Sequence, residues 1–256
     1  MTKNAVVHDK KPATPPAAGG KLLMSPEVVP EQRLGWCRHL PPMPAAFGLP
    51  SVRQRCVGSS QPLVEVRGID VLDAYEHLGI LGARRMLVRS DVAKRLLLAE
   101  RLLPSGFSLV VLDAWRSPDE QQALVCFYGD GAAEDGFVAP VSDDGCRPPH
   151  TTGGTVDLTL SWLDQPLALG TDYDSFDAEA AVHAFEAPSA DARVRLLRRG
   201  FAYAMSTAGF VPYDKEWWHW SHGDDVWAQA MARPALYDIV EHPPLERTRS
   251  AGICLD

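Results

Sequence analysis

The segment PPHTTGGTVDLTL, residues 148–160, contains two residues whose side chains can bind a metal ion. His150 and Asp157 are seven positions apart, and in one continuous strand an odd separation would place them on opposite faces. Gly153 and Gly154 relieve this constraint, because a glycine pair allows a loop that carries His150 to fold back onto a strand that carries Asp157. An imidazole nitrogen and a carboxylate oxygen suit zinc. The segment alone leaves open a second interpretation, a hydrogen-bonded pair in an ordinary loop.

A second cluster lies in KEWWHWSHG, residues 215–223, where Glu216 and His219 are three positions apart. One interpretation makes His219 a further metal ligand and Glu216 a general base. The other makes the segment an aromatic core strand with a hydrogen-bonded histidine. In the first interpretation, nearby tryptophans would form a dry wall, in which charges interact more strongly than in water. These residues are Trp217, Trp218, Trp220 and Trp227.

Arg116 follows the apolar run FSLVVL, residues 107–112, which predicts a buried strand. The end of a strand is a rigid place to mount a functional side chain. A guanidinium group is permanently charged and can stabilise a developing oxyanion. The alternative is a weak surface salt bridge with Asp113, Asp119 or Glu120.

The elements around these residues predict an α+β fold with a small antiparallel sheet flanked by helices, because strands and helices do not alternate regularly. Strands are predicted over residues 107–112, 155–160 and 217–220. Helices are predicted over residues 71–78, 91–103, 117–128, 191–207 and 224–231. The 117–128 helix has the clearest start, with Ser117 as N-cap and Pro118 in the first helical position.

The composition predicts one catalytic domain over residues 21–256, since 256 residues suffice for a substantial core. Residues 1–20 are polar and rich in proline and predict a disordered leader, and residues 21–62 predict an irregular N-terminal wrap. The net charge of −8 and the lack of a basic stripe argue against a nucleic-acid partner. The basic pairs Arg84–Arg85 and Arg198–Arg199 are interpreted as solvated helix faces.

The chain shows no apolar run long enough for a secretory signal or a membrane helix, which predicts a cytoplasmic protein with no membrane partner. The five cysteines are odd in number and scattered, and no CxxC pair occurs. This pattern predicts reduced structural cysteines rather than a disulfide framework or a thiolate zinc site. The five cysteines are Cys37, Cys56, Cys126, Cys146 and Cys254.

Taken in order, the strand followed by arginine, the H-x6-D segment with its glycine pair and the E-x-x-H segment form an ordered constellation. The sequence resembles the VanX-type D-alanyl-D-alanine dipeptidases of the DD-peptidase/Hedgehog fold group. The resemblance covers roughly residues 65–235. Its most specific pieces are HTTGGTVDLTL, EWWHW and, at residues 167–176, LALGTDYDSF.

The resemblance implies hydrolysis of D-alanyl-D-alanine, or of a closely related small dipeptide, with release of free D-amino acids. It implies one zinc ion per chain, bound by His150, Asp157 and His219. A fourth coordination position would stay open for water. Glu216 would be the catalytic acid/base, and Arg116 would stabilise the transition state. Asp174 would bind the free amino group of the substrate.

One position departs from the pattern of the family. Family members close to VanX, the glycopeptide-resistance enzyme, carry serine two positions before the first histidine of the motif. Pro148 occupies that position here. Proline has no side-chain donor and no backbone N–H, so the amino-end pocket must be built differently. Two other functions stay open: a D,D-carboxypeptidase or endopeptidase acting on cell-wall peptides, and a non-catalytic zinc-binding homologue. The oligomeric state is not determined by the sequence.

The remaining histidines are weighed against this site. His222 lies three positions beyond His219 but is not predicted as a ligand, because three protein ligands suffice for catalytic zinc. His39 and His77 are predicted at the surface, and His183 either lines the site or caps a helix.

Overall fold

The computed structural model describes residues 21–141 and 145–242, and the predicted leader over residues 1–20 and Cys254 lie outside them. The strands in chain order are β1 (Leu63–Glu65), β2 (Asp70–Val71), β3 (Leu87–Arg89), β4 (Phe107–Asp113), β5 (Thr155–Trp162), β6 (Gln165–Pro166), β7 (Val211–Pro212) and β8 (His219–Ser221). The α-helices are α1 (Ala74–His77), α2 (Ser90–Arg101), α3 (Pro118–Tyr128), α4 (Asp130–Glu134), α5 (Ala192–Thr207) and α6 (Asp225–Met231). The predicted α+β class is confirmed.

Six strands form the main sheet in the order β2-β4-β5-β8-β7, and β6 adds to β5. The expected antiparallel arrangement holds for every pair in this sheet except β2 with β4, which is parallel. The chain between these two strands passes through α1, β3 and α2, which is the long crossover that a parallel pair requires. A separate two-stranded ribbon joins β1 to β3.

Strand β5 is the centre of the sheet, and all eight of its residues are buried. Its sequence TVDLTLSW alternates polar and apolar residues, so the two kinds of side chain point to opposite faces. Val156, Leu158 and Leu160 belong to the main hydrophobic core. Asp157 points to the opposite, polar face. The alternation therefore delivers one carboxylate to a buried polar layer without opening the core.

Most predicted boundaries lie within two residues of the observed ones, and three predictions need correction. Helix α2, predicted from residue 91, begins one residue earlier at Ser90, with Arg89 at the N-cap. The helix predicted over 71–78 is shorter, because Val71 pairs in β2 and Asp73 caps α1. The aromatic strand predicted over 217–220 begins only at His219, since the backbone before it forms a turn in which the His219 N–H donates to the Glu216 carbonyl.

Two arginines predicted on solvated faces are buried. The Arg198 side chain is 1% exposed and donates to the backbone carbonyls of Leu169, Glu179 and Ala181. A guanidinium carries enough donors to satisfy several carbonyl groups at once, and such groups are costly to bury without partners. Burial lowers the pKa of Arg198 to about 9. The Arg84 side chain is 8% exposed and makes buried ion pairs that belong to the functional site.

The segment over residues 21–62 contains two 3₁₀ helices, Pro26–Val28 and Glu31–Cys37. At its start, the N–H groups of Leu22 and Leu23 donate to the Asp172 carboxylate. The single domain and the wrap remain predictions. In the described ranges no helix has the length and apolar character needed to cross a membrane. The four cysteines in the same ranges are free thiols, as expected.

We expect Gly154→Ala to destabilise the protein, because a Cβ there would lie 2.4 Å from the His222 carbonyl oxygen, which is backbone and cannot move aside cheaply. The free energy of unfolding should fall by about 2 kcal/mol, as for other overpacked sites. Gly82→Ala is the matched control, since a Cβ there meets nothing within 4 Å. Urea denaturation of the two variants measures the difference. Equal stabilities would contradict the close approach at Gly154.

Candidate metal centre and active-site cleft

The register of the sheet aligns side chains that are far apart in sequence. Asp113 on β4 is paired with Asp157 on β5, and Asp157 is paired with His219 on β8. Directly paired residues point to the same face of a sheet. The register therefore places two carboxylates and one imidazole in a row across β4, β5 and β8.

His150 reaches this row from a 3₁₀ helix, Pro149–Thr152, which ends at Gly153 with a φ of 71°. This left-handed conformation favours glycine and lets the chain turn back into β5. The Nε2 atom of His150 lies 3.3 Å from Oδ1 of Asp157, and Nδ1 of His219 lies 3.2 Å from the same oxygen. One ligand atom from each of the three residues lies within 4.8 Å of the other two. All three residues are buried.

The hydrogen bonds of this trio fit a bound cation. The Nδ1 atom of His150 donates to the Ala114 carbonyl over 2.7 Å, which leaves the lone pair on Nε2. That lone pair faces Oδ1 of Asp157, and both atoms are buried without a hydrogen-bond partner. Two lone pairs held together in a buried site need a cation between them. Two imidazole nitrogens and one carboxylate oxygen are a donor set that catalytic metal sites use.

The second oxygen of Asp157 is held by its neighbours. Oδ2 accepts a hydrogen bond of 2.8 Å from the Tyr173 hydroxyl and lies 3.6 Å from an Nη atom of Arg116. These contacts orient the carboxylate so that Oδ1 remains directed at the two imidazoles. Such outer contacts orient a ligand and adjust its basicity.

Glu216 lies beside the trio because of the turn that replaces the predicted strand. A strand would place residues three apart on opposite faces, whereas the turn brings the Glu216 carboxylate to 3.4 Å from Nδ1 of His219. Burial raises the pKa of Glu216 despite the nearby imidazole. Burial would lower the pKa of His219, but Asp157 and Glu216 outweigh it and raise that pKa to about 10.

Arg116 is buried, so the alternative of a surface salt bridge is wrong. Its Nε donates to Asp113 over 2.6 Å, and its two Nη atoms donate to Gln121 and to the Tyr75 hydroxyl. Asp113 is in turn bound by Arg84 over 2.7 Å. Burial would raise the pKa of Asp113, but the two guanidiniums outweigh it and lower that pKa. The carboxylate stays ionised and fixes the Nε edge of Arg116.

Asp174 is buried and lies on the same cleft as Glu216 and His219. Its backbone is left-handed, with φ of 54°, a conformation that aspartate tolerates better than most residues. Its Oδ2 accepts a hydrogen bond of 2.7 Å from the Tyr128 hydroxyl. Burial raises the pKa of Asp174 to about 8. A positively charged group entering the cleft would stabilise its ionised form.

The cleft is open to solvent and contains about 430 Å³ of space between its walls and the opening, and these walls differ from those expected. Trp217, Trp218 and Trp220 are buried in the core behind the site and do not line it. The aromatic walls come from other parts of the chain: Tyr75, Phe137, Phe176 and Tyr213. Trp218 contacts the site through Tyr173, which donates to Asp157. The two rings pack edge-on, with centroids 5.4 Å apart.

The structure brings together all six residues that the sequence singled out, His150, Asp157, His219, Glu216, Arg116 and Asp174, in the lining of one cleft. The other four histidines considered in the sequence lie outside the lining of this cleft. His222 is buried with its Nδ1 facing the Gly209 carbonyl, at 2.9 Å. His39, His77 and His183 are exposed, so His183 does not line the site.

Sequence reasoning missed the residues that hold the six in place. Asp113 entered only as a surface partner of Arg116, although its position at the end of a buried strand is a usable signal. Tyr173 and Tyr128 carried no signal of their own, because a tyrosine beside an apolar segment is usually a core residue.

Comparison with known proteins decides the family. The family model described as D-Ala-D-Ala dipeptidase, peptidase M15, matches residues 76–236, which is more than half of the chain. The chain belongs to the D-Ala-D-Ala dipeptidase family. Members of this metallopeptidase family are hydrolytic enzymes, and membership implies a metal ion. The His150, Asp157 and His219 trio is the metal-site candidate that the described residues offer.

Curated relatives agree with this assignment. The chain is 27% identical over 181 residues to a D-alanyl-D-alanine dipeptidase of Synechocystis, a match that covers 57% of this chain and 73% of the relative. It is 33% identical over 166 residues to one of Streptomyces coelicolor, covering 59% and 77%. Among solved structures, the vancomycin-resistance D,D-dipeptidase VanXYg, in complex with a D-Ala-D-Ala phosphinate analogue, matches with 22% identity and a TM-score of 0.29. That match covers 59% of this chain and 57% of the other.

We expect a chelator to lower the melting temperature of the metal-loaded protein by about 5–10 °C, because an ion that binds only the folded state stabilises it. His150→Ala should contain less than one metal ion per chain and lose the chelator effect. His183→Ala is the matched control, since that side chain is exposed, and it should keep both. Scanning calorimetry and elemental analysis provide the readouts. If His150→Ala still bound one metal ion per chain, or if the chelator left the melting temperature of the metal-loaded wild-type protein unchanged, this assignment of the trio would be contradicted.

Proposed function

We propose that this enzyme hydrolyses D-alanyl-D-alanine, or a closely related dipeptide with a free amino end, in a zinc-dependent reaction. One observation carries the proposal: the buried trio shares one cleft with two further buried carboxylates. The carboxylate of Glu216 lies 3.4 Å from Nδ1 of His219, and the second carboxylate is that of Asp174. The family and its curated relatives, named D-alanyl-D-alanine dipeptidases, support the substrate class.

Zinc is the proposed metal, and Nε2 of His150, Oδ1 of Asp157 and Nδ1 of His219 would hold it. A set of two neutral imidazoles and one carboxylate is typical of catalytic zinc sites that keep a position open for water or substrate. When bound, zinc polarises the scissile carbonyl and lowers the pKa of a water molecule. Tyr173 holds the other oxygen of Asp157, which would keep Oδ1 directed at a bound ion.

Glu216 is the proposed general base and acid. Its carboxylate takes a proton from the attacking water and later delivers it to the amine of the leaving amino acid. Burial raises its pKa, which brings the group closer to the range in which it can both accept and release a proton near neutral pH. The carboxylate lies beside the trio rather than within it, so it is available for proton transfer.

Arg116 is the proposed partner of the tetrahedral oxyanion. Three of its five N–H donors are engaged by Asp113, Gln121 and Tyr75, which fix the orientation of the guanidinium. Preorganised charge of this kind requires no reorganisation as negative charge develops on the substrate oxygen. A rigid, buried guanidinium at the cleft therefore suits transition-state stabilisation.

Asp174 is the proposed receptor of the substrate's ammonium group. In a dipeptide the residue with the free amine also carries the carbonyl that is attacked, so the amine must bind close to the catalytic groups. Asp174 meets this condition because it lines the same cleft as Glu216. A buried carboxylate without a cation favours a free ammonium and disfavours peptides blocked at that end. This argues for dipeptides over the cell-wall peptides of a D,D-carboxypeptidase or endopeptidase.

The substrate is tested with the four stereoisomers of alanyl-alanine and with N-acylated muropeptides, each assayed with zinc-loaded and with chelated enzyme. The proposal expects hydrolysis of the D,D isomer only when zinc is present. Preference for the muropeptides would favour the carboxypeptidase alternative, and zinc binding without any hydrolysis would favour the non-catalytic one. The cytoplasmic location and a role in cell-wall dipeptide turnover also remain proposals.

Glu216→Gln should bind zinc normally and lose turnover by about 10²–10⁴-fold, because only proton transfer is removed. Glu179→Gln is the matched control, since Glu179 is exposed outside the cleft. Steady-state kinetics on D-alanyl-D-alanine, together with zinc content, give the result. A near-normal kcat for Glu216→Gln would reject its role.

Asp174→Ala should reduce kcat/KM for D-alanyl-D-alanine far more than for its N-acetylated form, since only the free amine bears the charge that Asp174 would bind. A buried charged hydrogen bond of this kind corresponds to a loss of roughly 10–100-fold on the free dipeptide. Parallel assays on the two substrates measure the ratio. Equal losses on both would show that Asp174 does not recognise the amine.

A further inference from the structure

The amino end of the cleft contains a contact that the proposed mechanism does not use. The Tyr128 hydroxyl donates to Oδ2 of Asp174 over 2.7 Å, and both residues are buried. In the described part of the chain, this hydroxyl is the one hydrogen-bond donor that reaches the Asp174 side chain. Pro148, which is buried two positions before His150, offers no side-chain donor for this purpose.

We infer that Tyr128 is a specificity-determining residue, whose hydroxyl holds the Asp174 carboxylate ready to bind the ammonium group of the substrate. This inference rests on the proposed dipeptidase function. Tyr128 acts through Asp174 and is therefore a positioning residue. Its contact fixes one carboxylate oxygen and leaves the other for the substrate.

The electrostatics of the pair support this role. Burial raises the pKa of Asp174 to about 8, and the hydrogen bond from Tyr128 opposes this shift. A donor to the charged form of a carboxylate favours that form, so the contact keeps more of Asp174 ionised. Burial and the Asp174 charge also raise the pKa of Tyr128 far above its ordinary value. The hydroxyl therefore keeps its proton and remains a donor.

The position of Tyr128 is fixed by its surroundings. It is the last residue of α3, and its ring packs edge-on against Phe127 and Phe176, with centroids 5.0 Å away in both cases. Phe176 in turn stacks on Phe137, which lines the cleft. A hydroxyl on a rigid helix and a packed ring hold a carboxylate more accurately than a mobile surface group would.

Helix α3 also links the two ends of the proposed substrate site. It starts directly after Arg116, where Ser117 and Glu120 form a capping box. In its first turn, Gln121 accepts a hydrogen bond from Arg116 and donates to the Ala139 carbonyl. One helix thus holds the guanidinium at its start and, through Tyr128, the amine-binding carboxylate at its end.

The test measures binding by calorimetry in the zinc-loaded Glu216→Gln protein, which removes turnover from the readout. The probes are D-alanyl-D-alanine and propionyl-D-alanine, which has the same backbone but no amine. Adding Tyr128→Phe, which keeps the ring and its packing, should weaken binding of D-alanyl-D-alanine by about tenfold. Binding of propionyl-D-alanine should not change. Tyr203→Phe on α5, where the tyrosine is 40% exposed, is the matched control and should alter neither affinity.

A double-mutant cycle with Asp174→Asn separates action through Asp174 from a general structural effect. Tyr128→Phe should add no further loss once Asp174 is changed. Full additivity, or equal weakening of both probes by Tyr128→Phe, would overturn the inference. Turnover of D-alanyl-D-alanine by the wild-type enzyme is measured separately. Its absence would reject the dipeptidase proposal, whereas the affinity ratio of the two probes decides the role of Tyr128.

Discussion

The structure depends on the charge balance of carboxylates buried around one cleft. The guanidiniums of Arg84 and Arg116 are already paired with Asp73 and Asp113. Asp157, Asp174 and Glu216 are buried as well. Unpaired buried charges are costly, so a group in this position is neutralised by protonation or by a cation. A divalent metal ion and a substrate ammonium group would together supply the three positive charges that these three carboxylates lack.

This balance separates the roles that three similar side chains can play. Asp157 faces two imidazoles, which favour its ionised form and suit it to bind a metal. Glu216 and Asp174 both have a raised pKa because burial dominates. The two carboxylates differ in their contacts, because Glu216 lies beside His219 whereas Asp174 accepts a hydrogen bond from Tyr128. The environment of each carboxylate, rather than its chemistry, distinguishes the proposed metal ligand, general base and amine receptor.

The fold supports this arrangement through strand register and a few fixed contacts. Pairing across β4, β5 and β8 aligns Asp113, Asp157 and His219, because paired side chains share a face. A slip of one residue in β5 would turn Asp157 into the apolar core. The core residues Val156 and Leu158 oppose such a slip, since it would bring them to the polar face.

The sequence alone determined the chemical groups and most of the elements. The segment TVDLTL at residues 155–160 predicts a strand, Ser117 and Pro118 predict the start of a helix, and Gly153 predicts the point where the loop turns back. These are local effects, and each depends on neighbouring residues in the chain. The aromatic segment before His219 was predicted wrongly, because a turn there is stabilised by contacts such as that of the Trp217 N–H with the Ala180 carbonyl.

Tertiary structure decided what is buried and what is paired. Local sequence gave no sign that the side chains of Arg84, Arg116 and Arg198 are buried. Arg84 pairs with Asp113, 29 positions away, Arg116 donates to the Tyr75 hydroxyl, 41 positions away, and Arg198 donates to backbone carbonyls such as that of Leu169. The contact of Tyr128 with Asp174 spans 46 positions. No local pattern encodes such a contact, because it exists only when α3 and the loop that carries Asp174 pack together.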